Sequence, residues 1–150
     1  MLHSYTKILV HLVWATKKRD KLLTKEARPQ VLEHIAAYGR DNNISIDSLN
    51  LQMDHVHVLI TLLSNQKIDD IVRLPKGESS HWINAENIIP QKFSWQRGYG
   101  AFSVSFSQVE LVRQYIRNQD EHHRKNSFSE EFDAMLRKHG FDPVQTDESV

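Results

Sequence analysis

Between His55 and Leu63 the chain reads HVHVLITLL, an apolar and β-branched run interrupted only by the two histidines and Thr61. A run of this length and composition is a buried strand. Side chains alternate across a strand, so Val56, Val58, Ile60 and Leu62 share one face and call for helices packed over it. His55 and His57 then project together from the other face. Such a strand requires partners at its edges, and the remaining apolar segments supply them.

Ahead of it, Tyr5 to Thr16 alternates around Ile8, Val10, Leu12 and Trp14, and Ile44, Ile46, Leu49 and Leu51 mark another strand after the turn residues Asp41-Asn42-Asn43. Only Met53 and Asp54 separate that strand from His55, which predicts a hairpin. From Arg28 to Arg40, Val31, Leu32, Ile35 and Tyr38 recur at helical spacing, with Pro29 tolerated in the first turn. Ile68, Ile71, Val72, Trp82 and Ile83 mark a second helical region, where Pro75 and Gly77 predict a kink or two pieces. Phe93 to Phe106 reads as a bent or bulged strand across Gly98 and Gly100. Ser107 is placed to cap a third helix through Val109, Val112 and Ile116 to about His123. A short helix follows, with a capping box at Ser127 and Glu130, an apolar face of Phe132, Met135 and Leu136, and Gly140 as its stop. The residues from Asp142 to Val150 are polar and expected to fray.

The order strand, helix, strand, strand, helix, strand, helix is the split β-α-β pattern. The expected fold class is α+β, a ferredoxin-like antiparallel sheet with helices on one face. At 150 residues the chain has the size of one domain, with a core expected over about 5–140. No apolar stretch approaches the roughly 18 residues of a membrane span, so a cytoplasmic protein with no membrane partner is expected. The chain has no cysteine, which excludes disulfides, thiolate nucleophiles and thiolate metal sites and leaves nine histidines as candidate ligands or bases. The 19 basic and 19 acidic residues balance, so nucleic-acid affinity would have to come from a local patch. The Lys17-Lys18-Arg19 run with Lys21 is one such patch, although a charge cluster of this kind also serves simply as solvated surface.

Two imidazoles on one strand face can reach one metal ion or one phosphate, yet an isolated His-x-His is as readily a pair of ordinary strand residues. Tyr115 and Gln119, four apart, fall on one face of the third helix, and His122 and His123 follow one turn later. Each has a plain alternative: a helical tyrosine packs its ring, and histidines suit a helix end. Arg113 and Arg117 flank Tyr115 and would favour an approaching anion or remain solvated. Attack of a tyrosine oxygen on a phosphodiester, with a metal polarising the phosphate, is consistent with these parts. A phenol with a pKa near 10 needs a base for that, and the sequence identifies none.

Taken together, His55-Val56-His57, Tyr115-Ile116-Arg117-Asn118-Gln119 and His122-His123 resemble the single-tyrosine HUH transposases of bacterial insertion sequences. The resemblance extends through Lys76 to Asn84 and Trp95 to Ser105, and it covers most of residues 5 to 140. It implies Tyr115 as nucleophile, with His55, His57 and Gln119 as ligands of one divalent ion, Mg2+ or Mn2+. His122 and His123 would be accessory groups. It implies metal-dependent cleavage and rejoining of single-stranded DNA through a 5′-phosphotyrosine, with no nucleotide cofactor. The expected partners are a DNA hairpin near the element end and a second copy of the chain, a homodimer whose helix three delivers Tyr115 to the other copy's histidine pair. Pro75 departs from the family pattern, which has an apolar residue without a ring constraint at that place.

Three other readings compete. A non-catalytic or domesticated DNA-binding regulator would keep the fold, but an intact set of His55, His57, Tyr115 and Gln119 argues against it. Replication initiators and relaxases use the same chemistry in longer chains with added modules. A ferredoxin-like RNA-binding domain would need exposed aromatics where the histidines stand. Lys17, Lys18, Arg19 and Lys21, with Arg113 and Arg117, are the candidate DNA contacts. Neutralising the four residues of the 17–21 cluster is expected to weaken DNA binding and flatten its salt dependence, and an unchanged salt slope in a filter-binding series would remove the cluster from the interface.

Overall fold

The computed structural model describes residues 3–143. The expected fraying tail lies outside the described residues from position 144 onward. The strands are β1 (Leu9–Ala15), β2 (Ser45–Leu51), β3 (His55–Thr61) and β4 (Gly100–Val104). The helices are α1 (Arg28–Asp41), α2 (Ile68–Ala85), α3 (Val109–Arg117), α4 (Gln119–His123) and α5 (Phe128–Lys138). The sheet is antiparallel throughout in the order β2-β3-β1-β4, the ferredoxin-like arrangement expected from the element order. Among the described residues no helix is long and apolar enough to cross a membrane.

The alternation in the central strands sorts side chains as anticipated. Val10, Leu12 and Trp14 of β1 join Val56, Val58 and Ile60 of β3 in one core with Val31 and Ile35 of α1 and Ile71, Val72 and Ile83 of α2. Burial of each such side chain contributes on the order of 1.5–3 kcal/mol. The other face is not left open, as a one-faced arrangement would have it. Leu9 and Leu59 pack against Val109 and Ile116 of α3, and Val13 and Ala15 against Phe128 of α5. The C-terminal helices therefore cover the face that carries His55 and His57.

Four local expectations are corrected. Helix α2 runs unbroken from Ile68 to Ala85 with Pro75 inside it, rather than as two pieces. Proline in a helix interior costs roughly 3 kcal/mol, but Pro75 is buried together with Ile71, Val72, Ser79 and Ile83, and that packing outweighs the lost hydrogen bond. The last strand is shorter than Phe93 to Phe106. The side chain of Asn84 takes both backbone groups of Phe93, at 2.8 and 2.9 Å, and Trp95 Nε1 donates to Ser79 Oγ at 2.9 Å. Lys76 Nζ then donates to the carbonyls of Gln96 and Gly98, at 2.7 and 2.9 Å. Beyond these contacts Trp95 keeps an isolated bridge to Thr16, with the Lys17 amide donating to the Ser94 carbonyl and the Gln96 amide to the Ala15 carbonyl, and Gly100–Val104 is the stretch that joins the ladder. The third helix ends at Arg117 and a new turn begins at Gln119, so Gln119, His122 and His123 belong to α4. Ser107 sits within a 3-10 turn, Phe106–Gln108, and α3 starts without a side-chain cap. At α5 the expected box forms: the Glu130 amide donates to Ser127 Oγ at 3.2 Å.

One irregularity ties the two faces together. The β2–β3 register shifts between Ile46 and Ser48, leaving Asp47 outside the pairing as a bulge. Its carboxylate accepts from Arg113 Nη2 of α3 at 2.7 Å and from Arg113 Nε at 3.0 Å. That hydrogen bond holds the Asp47 carboxyl below its ordinary value of 3.8, against a smaller opposing effect of burial. A depressed carboxyl stabilises the fold fully above its unfolded pKa, and the contribution is lost as pH falls through the folded value. Asp47→Asn is accordingly expected to lower the thermal midpoint at neutral pH, with the gap to the parent protein closing as pH falls below 3.8. Melting curves across that range check it, and a gap independent of pH would remove the ion pair as its cause.

Candidate metal centre and tyrosine site

The pleat of β3 brings His55 and His57 to the face beneath α3–α5, and both are almost fully buried. His55 Nδ1 donates to Asp54 Oδ1 at 2.7 Å, which leaves its Nε2 with a lone pair and no hydrogen-bond partner. That atom lies 3.5 Å from Glu131 Oε1, while His57 Nε2 lies 2.9 Å from the same oxygen. His123 Nε2 stands 3.4 Å from Glu131 Oε2. His122 Nε2 comes within 3.0 Å of that oxygen but off the line a hydrogen bond needs. The Tyr115 hydroxyl donates to Glu131 Oε2. One buried carboxylate thus gathers four imidazoles and a phenol.

Electrostatics follow from that arrangement. Burial alone would push the Glu131 carboxyl up, but hydrogen bonds from His123 and His57 and the charges around it hold it well below the usual carboxylate range. Tyr115 moves the opposite way: burial, the hydrogen bond to Glu131 and its negative charge all push the phenol above 10. His123 is pulled down by burial and up by Glu131, and the rise prevails. As it stands, the site holds the tyrosine protonated.

The sequence-predicted residues separate into three groups. His55, His57, Tyr115, His122 and His123 converge on Glu131. Gln119 is fully buried and reaches the cluster through His123, whose Nε2 lies 2.8 Å from Gln119 Oε1, while its amide donates to the Tyr115 carbonyl at 3.2 Å. The basic candidates stand apart. Arg113 is engaged by Asp47 and Glu110, and Lys17, Lys18, Lys21 and Arg117 are exposed. Arg19 lies over the Phe128 ring, 5.4 Å from its centroid, and Phe128 in turn stacks on His55 at 4.1 Å. Tyr115 was expected to reach the histidines of a second copy, but here it lies beside His57 of its own chain, ring centroids 5.7 Å apart.

Glu131 was not anticipated, although a signal was present. Phe128, Glu131, Phe132 and Met135 follow the i, i+3, i+4, i+7 spacing of one helix face, so Glu131 is a charge on an apolar stripe. Ligand atoms of His55, His57, His123 and Glu131 all lie within 4.8 Å of one another, close enough to hold a metal ion. The orphaned Nε2 of His55, aimed at the carboxylate, fits that use. Imidazoles alone suit zinc or nickel as well as magnesium, whereas a carboxylate adds the hard oxygen that Mg2+ and Mn2+ favour.

Residues 4–119 match the model of the family described as Transposase IS200 like. The chain belongs to the IS200-like transposase family. Over 114 residues this transposase is 25% identical to the ISDra2 transposase TnpA of Deinococcus radiodurans, a match spanning 73% of this chain and 81% of that one. A crystal structure of a Deinococcus radiodurans protein assigned as a transposase superimposes with a TM-score of 0.63 at 27% identity, covering 79% of this chain and 95% of the other. A REP-associated tyrosine transposase bound to a REP hairpin shares the fold, with a TM-score of 0.61 at 20% identity over 82% of this chain and 73% of that one.

A metal that binds only the folded transposase stabilises it by mass action. Mn2+ at about a hundred times its dissociation constant is expected to add about 2.7 kcal/mol to the unfolding free energy. His55→Gln is expected to lose that increment. Melting curves with and without Mn2+ test this, and an unshifted parent protein would remove the cluster as a metal centre.

Proposed function

We propose that this IS200-like transposase cleaves and rejoins single-stranded DNA through a covalent 5′-phosphotyrosine on Tyr115. The observation that carries this reading is the convergence, within one chain, of a half-buried tyrosine hydroxyl with the two strand histidines on a single carboxylate. His55 and His57 hold a divalent ion, Mg2+ or Mn2+, with Glu131 and His123 as nearby donors and Gln119 set behind His123. When bound, the ion supplies positive charge that polarises the scissile phosphate and offsets the cost of a phenolate in a buried site.

The chain's own groups do the rest. Tyr115 Oη attacks phosphorus, the bond to the 3′ oxygen breaks, and that oxygen takes a proton from water and leaves as a 3′ hydroxyl while the 5′ phosphate stays on the protein. Glu131 Oε2 is the acceptor already in place for the phenolic proton. The bond energy is kept in the phosphotyrosine, so rejoining needs no nucleotide cofactor. Across the break between α3 and α4 the Gln119 amide donates to the Tyr115 carbonyl at 3.2 Å and the His122 ring lies 5.4 Å from the Tyr115 ring.

The DNA partner in this proposal is a single strand with a hairpin near the element end, supported by the family membership and by the hairpin bound to the REP-associated relative. Residues 1–150 form one HUH domain with its core over about 5–140, and the homodimer is retained with each copy using its own tyrosine, because Tyr115 and His57 already meet in one chain. A regulator that binds DNA without cutting is the alternative.

Incubation with single-stranded oligonucleotides tiled across the flanks of the gene, with and without Mg2+ or Mn2+, tests the reading. A metal-dependent, denaturant-resistant protein–DNA adduct is expected. Tyr115→Phe is expected to abolish the adduct while leaving DNA binding largely intact, since only the attacking oxygen is removed. His57→Ala is expected to lose metal-dependent cleavage. Cleavage at full rate by the phenylalanine variant would refute the assignment, and hairpin binding without any adduct would favour the regulator.

A further inference from the structure

His11 lies on β1, on the same sheet face as His57, diagonal to it across the β1–β3 ladder. It is 6% exposed, a polar residue among Leu9, Val13 and Leu59. Its Nε2 sits 2.9 Å from His57 Nδ1. His57 therefore has both ring nitrogens committed, Nδ1 to His11 and Nε2 toward Glu131. The second nitrogen of His11 makes no hydrogen bond and is not among the buried orphaned atoms, so it faces the cavity of about 650 Å3 between β4, α3 and α5. A charge on this ring would be buried on an apolar strand face with a second imidazole 2.9 Å away, so the neutral form with one N–H is the one the surroundings favour.

A neutral imidazole can give its Nε2 lone pair to a cation only if its hydrogen is on Nδ1, and that hydrogen needs an acceptor. For His55 the acceptor is the Asp54 carboxylate. For His57 it is, among the described residues, His11 Nε2. We propose that His11 is a positioning residue of the metal centre, accepting the His57 Nδ1–H so that His57 Nε2 faces the ion.

A neutral histidine serves here where a carboxylate would not, because it works in both directions. Without an ion, ionised Glu131 can only accept, so the His57 hydrogen is on Nε2 and His11 donates Nε2–H to Nδ1. In the loaded state a proton leaves His57 Nε2 to water, His57 Nδ1 takes the hydrogen that His11 Nε2 carried, and His11 Nδ1 takes one from water in the cavity. Both rings begin and end neutral. A carboxylate at position 11 would accept in the loaded state but could not donate in the empty one, and it would add a charge to a buried strand face.

This inference rests on the reading of His57 as a metal ligand, and its test separates the two. Mn2+ affinity is measured by calorimetry for the full chain, His11→Leu, His11→Gln and His57→Ala, with circular dichroism as the check on folding. His11→Leu is expected to bind roughly 10–100-fold more weakly, and His11→Gln, whose side-chain oxygen can take the place of Nε2 as acceptor, to recover most of the loss. In the 15N-labelled parent protein saturated with Mg2+, the imidazole spectrum is expected to place the His57 hydrogen on Nδ1, a signature that a merely packing role for His11 would not produce. A folded His11→Leu with parental affinity, or a His57 hydrogen on Nε2 in the loaded protein, overturns the role of His11 alone. Parental affinity in His57→Ala overturns the ligand reading and this inference with it.

Discussion

The carboxylate of Glu131 is the interaction on which this half of the molecule depends. Taking such a charge out of water costs several kcal/mol, and only close, well-aimed donors offset it. Here the groups around it come from separate parts of the chain: His57 from β3 and Tyr115 from α3 donate to it, and His122 and His123 of α4 stand 3.0 and 3.4 Å from Oε2. The same contacts that satisfy the carboxylate fix where α5 lies over the sheet and where the phenol lies against the histidines. Architecture and candidate chemistry are therefore set by one group.

The bonding of the histidine rings extends that constraint outward. Asp54 orients His55, His11 orients His57, and Gln119 with the Asn126 carbonyl orients His123. Each ring is held at both nitrogens, or at one with the other left facing the carboxylate. The rings of the cluster are thereby held in place by their surroundings as much as by one another.

What the sequence disclosed divides along physical lines. The two-residue period of β1 and β3 was legible because each central strand places one uniform apolar face against α1 and α2. The histidine pair and Tyr115 were legible because spacing within one element fixes which side chains share a face. Glu131 and His11 were not, since their partners lie 74, 16 and 46 positions away along the chain. Phe93 to Phe106 read as one strand because aromatic residues suit strands, but Asn84 takes both backbone groups of Phe93 and Trp95 holds an isolated bridge to Thr16, a tertiary competition that local pattern does not carry. Pro75 read as a break for the same reason: its cost is local and its compensation is burial against the sheet.

The two faces of the sheet are unequally sealed. Beneath α1 and α2 lies one continuous apolar core, whereas α3 and α5 meet the sheet through two small separate clusters with the polar site between them. Most of the apolar packing therefore lies on the α1–α2 side, and less of it holds the C-terminal helices. A change among the three short helices over the half-buried Tyr115 would thus leave the larger core on the other face intact.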